Sequence, residues 1–194
     1  MGFLSVLSMA HKWIAERTQP GDIVIDATAG AGVDTLALAE LVGVKGTVYA
    51  FDIQQEALNR TQERLTPLEL QGKLPSLRLV LGNHAQMAEL IDIQAHGNVA
   101  AVMFNLGYLP GGDEDVITQP STTLPALNAA LSLLRPGAIV TCVLYPGHPG
   151  GSDEAIAVET WASQLSGAAY AVVLYRQPHR KTAPYLLAIE KRLR

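Results

Sequence analysis

The chain has 194 residues, of which 48% are hydrophobic and 16% charged, and its net charge is −4. This balance excludes a disordered or coiled-coil chain, supplies enough apolar material for a two-sided sheet, and gives no overall positive field that would attract a nucleic acid. A single cysteine, Cys142, excludes an internal disulfide and a cysteine metal cluster and fits a reducing compartment. We expect a single domain over residues 1–194.

The amino terminus lacks the basic, apolar and small-residue segments of a cleaved signal. The longest apolar runs, such as residues 138–145, fall far short of the ~20 residues that span a bilayer. We therefore expect a cytoplasmic protein without a membrane partner.

Short apolar runs alternate with longer amphipathic ones, which predicts repeated βα units around a mostly parallel sheet. Residues 1–17 form a leading segment, in which a helix is predicted over residues 5–17. Strands are predicted at residues 23–26, 47–51, 77–81, 99–104, 138–145, 171–175 and 185–190. Helices are predicted at residues 34–42, 54–65, 85–94, 124–134 and 153–165, with Pro67 ending or kinking the second of these.

Only residues 176–184 separate the last two strands, which is too short for a parallel crossover and predicts an antiparallel pair. Five parallel strands that end in a hairpin resemble the arrangement of Rossmann-like class I methyltransferases. The predicted fold is therefore α/β, with a mostly parallel seven-stranded sheet, a C-terminal antiparallel hairpin and helices on both faces. Residues 106–123 form the one long irregular segment, a kind that is often functional.

A glycine turn follows the first predicted strand, where residues 26–32 read Asp-Ala-Thr-Ala-Gly-Ala-Gly. Glycines let the backbone turn sharply and let a ligand lie against the main chain. Asp52 ends the second strand, where its carboxylate can accept hydrogen bonds from two ribose hydroxyls. The sequence therefore predicts a cofactor that contains ribose.

Two residues favour S-adenosylmethionine over a dinucleotide as this cofactor. Thr35 occupies the position where a third glycine would let helix and strand pack over a pyrophosphate. Asp26 would repel a diphosphate but attract an amino-acid ammonium group. We expect S-adenosylmethionine as cofactor, S-adenosylhomocysteine as product, and no metal, because the histidines lack paired ligand spacing.

The end of the third strand offers further candidates for the cofactor site. The amide of Asn83 can both donate to and accept from an adenine edge, and Ile53 could cover the adenine face. Asn83 is an equally good helix cap, and the two roles are compatible. For His84, a place in the first helical turn is the favoured interpretation.

The fourth strand runs into residues 104–113, which read Phe-Asn-Leu-Gly-Tyr-Leu-Pro-Gly-Gly-Asp. Ligands of open α/β sheets lie beyond the carboxyl ends of the strands, so this segment is expected beside the cofactor. The spacing of Asn105 and Tyr108 resembles the Asn-Pro-Pro-Tyr motif of amino-group methyltransferases. Leu106 and Gly107 replace the two prolines, which favours a flexible alkyl amine over a flat exocyclic amine as acceptor.

A second glycine-rich loop, residues 145–154, leaves the fifth strand on the same side. It contains His148, and an ordinary strand-to-helix connection is nearly as good an interpretation of it. Whether His84 or His148 accepts a proton stays open.

Taken together, the chain resembles a small bacterial family of rRNA methylases, the YtqB/MnmM type, over almost its whole length. Five blocks carry the resemblance, at residues 26–35, 49–54, 105–113, 145–151 and 184–191, and the third is the most specific. The resemblance implies methylation of the aminomethyl group on a modified wobble uridine of tRNA, with the anticodon stem-loop as partner.

The resemblance and the motifs together define three sets of candidate residues. Those for the cofactor are Asp26, Thr28, Gly30, Gly32, Asp34, Thr35, Asp52, Ile53, Gln54, Asn83, His84 and Asn105. Those for catalysis are Asn105, Gly107 and Tyr108. Those for the substrate are Leu109, Pro110, Gly111, Asp113, His148, Arg176, His179, Arg180 and Lys181.

The last four of these residues form the one local basic cluster, which could contact RNA phosphates or be a solvated hairpin tip. The alternatives are methylation of another RNA such as rRNA, methylation of a small-molecule or protein amine, nucleotide sensing without catalysis, and, disfavoured by Thr35, an NAD oxidoreductase. Leu4, Leu7 and Ile14 on the leading helix could cover the sheet or a second copy in a homodimer.

Overall fold

A computed structural model of the chain describes residues 2–107 and 117–193. They form a seven-stranded sheet of order β3-β2-β1-β4-β5-β7-β6, in which the first five strands are parallel and β7 runs antiparallel to both of its neighbours. The strands are β1 Ile23–Asp26, β2 Thr47–Asp52, β3 Ser76–Leu81, β4 Val99–Asn105, β5 Leu134–Leu144, β6 Tyr170–Tyr175 and β7 Tyr185–Lys191. The helices are α1 Val6–Ala15, α2 Val33–Val42, α3 Gln55–Leu70, α4 Met87–Leu90, α5 Pro120–Leu133 and α6 Gly151–Ser163.

Helices cover both faces of this sheet, and each face has its own apolar cluster. Neighbouring residues of one strand alternate between the clusters, as Val24 and Ile25 of β1 do. One cluster includes residues of α1, α2 and α3, and the other includes residues of α4, α5 and α6. Because both faces are buried, the strands read as continuous apolar runs. The predicted parallel sheet, its terminal hairpin and its helices on both faces are confirmed.

The leading helix packs against the carboxyl-terminal half of the sheet. Ile14 is fully buried there, whereas Leu4 and Leu7 are 45% and 38% exposed. Arg17 pairs with Glu190 of β7 at 2.6 Å, which joins the end of this helical segment to the last strand. No helix in the described ranges is long and apolar enough to cross a membrane.

The helix predicted over residues 85–94 is wrong. The chain instead forms a 3-10 turn His84–Gln86, the short α4, and a second 3-10 turn Ile93–Ala95. Ile91 is extended between them, at φ −94° and ψ 159°. The hydroxyl of Tyr49 in β2 donates to the Asp92 carboxylate at 2.6 Å. This bond joins Asp92 to a strand that is distant in sequence, at a point where the helix has already ended. The apolar periodicity alone predicts a continuous helix through this point.

The boundaries at two prolines also differ from the prediction. Pro67 does not end α3, which continues to Leu70. A proline in the last turn removes only one backbone hydrogen bond, while the preceding turns of α3 bury Leu58 and Leu65 against the sheet. Strand β5 begins at Leu134, before Pro136, because a register shift lets Leu134 pair with Val99 ahead of the regular ladder.

The turn between β1 and α2 is packed so closely that only glycine fits at position 32. Gly32 has a φ of +76°, and a Cβ built on it would lie 2.8 Å from the Cα of Thr61 in α3. The hydroxyl of Thr61 also donates to the carbonyl of Gly30 at 3.3 Å. The approach of α3 therefore shapes the glycine turn.

We expect Gly32→Ala to lower the free energy of unfolding by about 3 kcal/mol, because left-handed backbone strain of roughly 1–2 kcal/mol adds to a backbone clash. Urea denaturation measures this loss. Gly72→Ala is the matched control, since Gly72 has a φ of +65° and nothing within 4 Å of its built Cβ. Equal losses in the two variants would show that contact with Thr61 does not constrain the turn.

Candidate active site

A cavity of about 370 Å³ opens at the carboxyl ends of the parallel strands. Its walls come from the β1–α2 turn, the ends of β2, β3 and β4, and the loop after β5. It brings together these predicted residues: Thr28, Gly30, Asp34, Asp52, Ile53, Gln54, Asn83, His84, Asn105, Gly107 and His148. Residues from five separate sequence segments thus share one pocket.

The other predicted residues lie elsewhere. Asp26, Gly32 and Thr35 lie outside the cavity lining, within the β1–α2 turn and the start of α2. The basic residues Arg176, His179, Arg180 and Lys181 are exposed on the connection between β6 and β7, outside the cavity lining. Tyr108, Leu109, Pro110, Gly111 and Asp113 lie outside the described residues.

The Asp52 carboxylate joins two walls of the cavity. One oxygen accepts a hydrogen bond from the Gly30 backbone N–H at 3.0 Å, and the other accepts from the Gln54 N–H at 2.9 Å. A carboxylate oxygen has a second lone pair, so both oxygens can accept a further hydrogen bond from a ligand. This arrangement suits a group with two adjacent hydroxyls.

Asp26 is buried behind the turn, where it stabilises the turn itself. It accepts hydrogen bonds from the Thr35 hydroxyl at 2.6 Å and from the Thr28 backbone N–H at 3.1 Å. Burial raises the pKa of Asp26 to about 7, and the negative charges of Asp34 and Asp52 add to that increase. Of the two acidic residues in this segment, Asp34 lines the cavity and Asp26 does not.

The leading helix reaches this acidic region through His11. The His11 Nε2 atom lies 2.6 Å from an Asp34 oxygen, and this hydrogen bond raises the pKa of His11 against the opposing effect of burial. Asp34 is itself nearly buried, with 6% of its surface exposed. When His11 is protonated, its positive charge compensates the negative charge of Asp34 beside the cavity.

The end of β4 is held by three different elements. The backbone N–H groups of Asn105, Leu106 and Gly107 donate in turn to the Thr28 hydroxyl at 2.8 Å, the Val143 carbonyl at 3.0 Å and the Thr118 hydroxyl at 2.9 Å. We call these three residues the β4 end strip. With each N–H bonded to a different partner, the strip has little freedom to shift relative to the cavity.

The Asn105 side chain presents an unused acceptor. Its Oδ1 atom is buried and has no hydrogen-bond partner among the described residues. The Asn105 amide also forms a hydrogen bond with Tyr145. Burial and the negative charge of Asp34 raise the pKa of Tyr145, and the hydrogen bond with Asn105 opposes that increase. A buried amide oxygen without a partner costs free energy, which a ligand N–H at this wall would recover.

Two histidines of the cavity differ in their surroundings. His84 is buried, its Nδ1 lies 3.2 Å from the Ala27 carbonyl, and burial lowers its pKa. Neutral His84 with its proton on Nδ1 leaves Nε2 as an acceptor, and Nε2 has no partner among the described residues. His148 points Nδ1 at the carbonyl of Pro149 at 2.8 Å, in the loop after β5.

The cavity lining also includes residues that sequence reasoning did not name as candidates, among them Ile117, Thr118, Thr122 and Tyr145. Tyr145 stands in a block that carries the family resemblance, and an aromatic residue at a strand's carboxyl end is a signal that could have found it. The other three fall within residues 106–123, the long segment in which no periodicity indicates which side chains face inward. Among residues 2–107 and 117–193, no cluster of His, Cys, Asp and Glu could hold a metal ion.

The sheet order, the glycine turn and the acid at the end of β2 define the class of protein as a Rossmann-like class I methyltransferase. Residues 48–190 match the model of the family described as "Putative rRNA methylase". The chain belongs to this family, and it is a methyltransferase.

Individual relatives agree with this assignment. The chain is 39% identical to the chloroplastic tRNA (mnm(5)s(2)U34)-methyltransferase of Arabidopsis thaliana over 189 residues, which cover 95% of this chain and 68% of that protein. A crystal structure described as a "putative rRNA-methylase" from Clostridium thermocellum is 38% identical, with a TM-score of 0.91 and coverage of 98% of this chain and 100% of that one. A Streptococcus mutans protein described as "a putative methyltransferase", solved in complex with SAH, is 33% identical with a TM-score of 0.85, covering 98% of this chain and 99% of that one.

The buried Asp26 predicts a specific pH dependence of stability. Its folded pKa of about 7 exceeds the ordinary value of 3.8, so its stabilising contribution is complete below about pH 4 and is lost as pH rises to about 7. Relative to Asp26→Asn, the native chain should lose up to a few kcal/mol of unfolding free energy across this range, since one pKa unit is about 1.4 kcal/mol.

Urea denaturation at several pH values between 4 and 8 measures this difference. Asp153→Asn, at an exposed position in the first turn of α6, is the matched control and should follow the native curve. Parallel curves for the native chain and Asp26→Asn would contradict the prediction.

Proposed function

We propose that this chain transfers a methyl group from S-adenosylmethionine to the amine of a 5-aminomethyluridine or 5-aminomethyl-2-thiouridine at the wobble position of tRNA. The observation that carries the proposal is Asn105, which lines the same cavity as Asp52 and whose buried Oδ1 has no partner among the described residues. The similarity to the chloroplastic tRNA methyltransferase supports the choice of acceptor.

The residues of the cavity fit S-adenosylmethionine. Asp52 offers two carboxylate oxygens for ribose hydroxyls, and the Asn83 side chain, whose oxygen caps the Ala85 N–H at 2.9 Å, keeps its amide N–H groups for an adenine edge. Asp34 supplies negative charge at the wall for an ammonium group. When bound, S-adenosylmethionine supplies an electrophilic methyl group. The SAH found in the Streptococcus mutans relative supports this assignment.

The chain's own contribution to transfer is alignment of the acceptor nitrogen. Asn105 Oδ1 can accept a hydrogen bond from that nitrogen, which orients its lone pair, and geometric alignment of this kind carries much of the rate of a bimolecular transfer. An alkyl amine has a solution pKa near that of lysine, about 10.4. Transfer into a partly buried site favours its neutral, nucleophilic form, so the proposal requires no dedicated base.

The position of the basic loop supports an RNA acceptor. The carbonyl of Thr182 lies 2.8 Å from where a Cβ on Gly147 would stand, so the β6–β7 connection packs on the loop that carries His148 to the cavity. Arg180 and Lys181 are exposed on that connection. Arg176 pairs with Glu159 at 3.4 Å and is half exposed. In a chain of net charge −4, this local positive surface beside the cavity suits phosphate contacts.

The first test is tritiated methyl transfer to tRNA from cells that lack the endogenous activity, with nucleoside analysis of the product. Asn105→Ala should lower transfer by on the order of 10- to 100-fold, because the acceptor nitrogen loses its orienting contact. Calorimetry should show that it keeps cofactor affinity, whereas Asp52→Ala should lose it. Asn59→Ala, an exposed amide on α3, is the matched control.

The outcomes of this experiment separate the alternatives. Cofactor binding without labelled tRNA would replace the proposal with methylation of a small-molecule or protein amine. Label in a nucleoside of rRNA, offered in a parallel reaction, would move the acceptor to that RNA. Absence of cofactor binding by the native chain would contradict the cofactor assignment.

A double variant tests the RNA contacts. Arg180→Ala with Lys181→Ala should raise the KM for tRNA and reduce the slope of log affinity against log salt by about 1 to 2, since each phosphate contact contributes roughly 0.7–0.9. Filter binding over a salt series measures the slope.

Lys45→Ala with Lys73→Ala removes the same charge at the opposite edge of the sheet, where both lysines are exposed shortly before β2 and β3. This control should retain the native slope. Equal slopes in both double variants would show that the loop does not contact RNA.

A further inference from the structure

Glu154, in the first turn of α6, is a buried carboxylate that the cavity itself does not include. It is 2% exposed, and none of the ion pairs among the described residues involves it. Taking a carboxylate out of water without a cation is costly unless hydrogen bonds compensate. Its retention at this position therefore calls for a specific explanation.

Two threonine hydroxyls supply that compensation. Glu154 Oε2 accepts from the Thr118 hydroxyl at 2.7 Å, and Oε1 accepts from the Thr123 hydroxyl at 2.6 Å. A carboxylate is an acceptor only, so each threonine must turn its proton toward it. The direction of the Thr118 O–H bond is thereby set, and its oxygen lone pairs face the other way.

Those lone pairs receive the last N–H of the β4 end strip. The Gly107 backbone N–H donates to Thr118 Oγ1 at 2.9 Å, and the Thr118 N–H donates back to the Gly107 carbonyl at 3.0 Å. Gly107 has a φ of +143°, in the region that favours glycine. A chain of bonds therefore leads from Glu154 through Thr118 to Gly107, two residues beyond Asn105.

We propose that Glu154 is a positioning residue for methyl transfer, acting through Thr118 to hold the β4 end strip so that Asn105 meets the acceptor nitrogen. This inference rests on the proposed function for the identity of the reaction. It assigns Glu154 no contact with cofactor or substrate. The Thr28 hydroxyl fixes the strip from the cofactor side, and Glu154 fixes it from the α6 side.

The test compares Thr118→Val, Thr118→Ser and Glu154→Gln with the native chain. Thr118→Val keeps the shape but cannot accept from Gly107, so kcat for tRNA should fall about tenfold or more while the cofactor Kd stays within about twofold. Thr118→Ser keeps the hydroxyl and should restore kcat. Glu154→Gln no longer fixes the direction of the Thr118 proton, so this variant should also lower kcat for tRNA.

Thr141→Val is the control for loss of a buried hydroxyl, because Thr141 Oγ1 has no partner among the described residues, and this variant should keep the native kcat. A purely structural role would instead lower the melting temperature and weaken cofactor binding in parallel with kcat, without rescue by serine. That result would overturn the proposal.

Amide hydrogen exchange at Gly107 and Thr118, resolved by NMR, gives a readout independent of activity. Faster exchange at both amides in Glu154→Gln and Thr118→Val supports the positioning role. If the native chain at the same time labels no tRNA, only the proposed acceptor is wrong. Unchanged exchange at Gly107 would overturn the role of Glu154 even if the native chain labels tRNA.

Discussion

The turn between β1 and α2 is the part of the structure on which the rest depends, because residues of three other segments bond to it. Asp52 of β2 accepts from the Gly30 N–H, and Thr61 and Arg64 of α3 donate to the carbonyls of Gly30 and Ala31. The Thr28 hydroxyl in turn accepts from the Asn105 N–H at the end of β4. A displacement of this turn would therefore move the cofactor wall and the β4 end strip together.

Electrostatics at this turn follow from three carboxylates at the ends of neighbouring strands and the first turn of α2. Asp26, Asp34 and Asp52 repel one another, and the raised pKa of Asp26 together with the bond from His11 to Asp34 relieves part of that repulsion. The remaining negative charge at the wall disfavours a diphosphate and favours a cationic ligand. Asp34 and Asp52, which line the cavity, carry this charge, whereas Asp26 is buried behind the turn.

The acceptor side is built differently, from backbone groups fixed by remote side chains. The three residues of the β4 end strip take their positions from Thr28, Val143 and Thr118, which lie 77, 37 and 11 residues away from their respective partners along the chain. Backbone N–H groups carry no sequence identity, so nothing in the residues of the strip shows which partners hold it. Tertiary structure makes Glu154 part of this arrangement although it belongs to a different helix.

The sequence by itself determined the fold class, since apolar runs of strand length, the short connection before β7 and the glycine turn each depend on local chemistry. It also determined which strand ends carry Asp52, Asn83 and Asn105, because parallel strands place their carboxyl ends at one edge. Only tertiary structure decided that Tyr49 would break the helix predicted at 85–94 and that Asp26 would be buried behind the cavity while Asp34 lines it. It also placed Tyr145, Thr118 and Thr122 in the cavity wall. These outcomes depend on contacts between segments distant in sequence, whose free energies override local periodicity and leave no pattern along the chain.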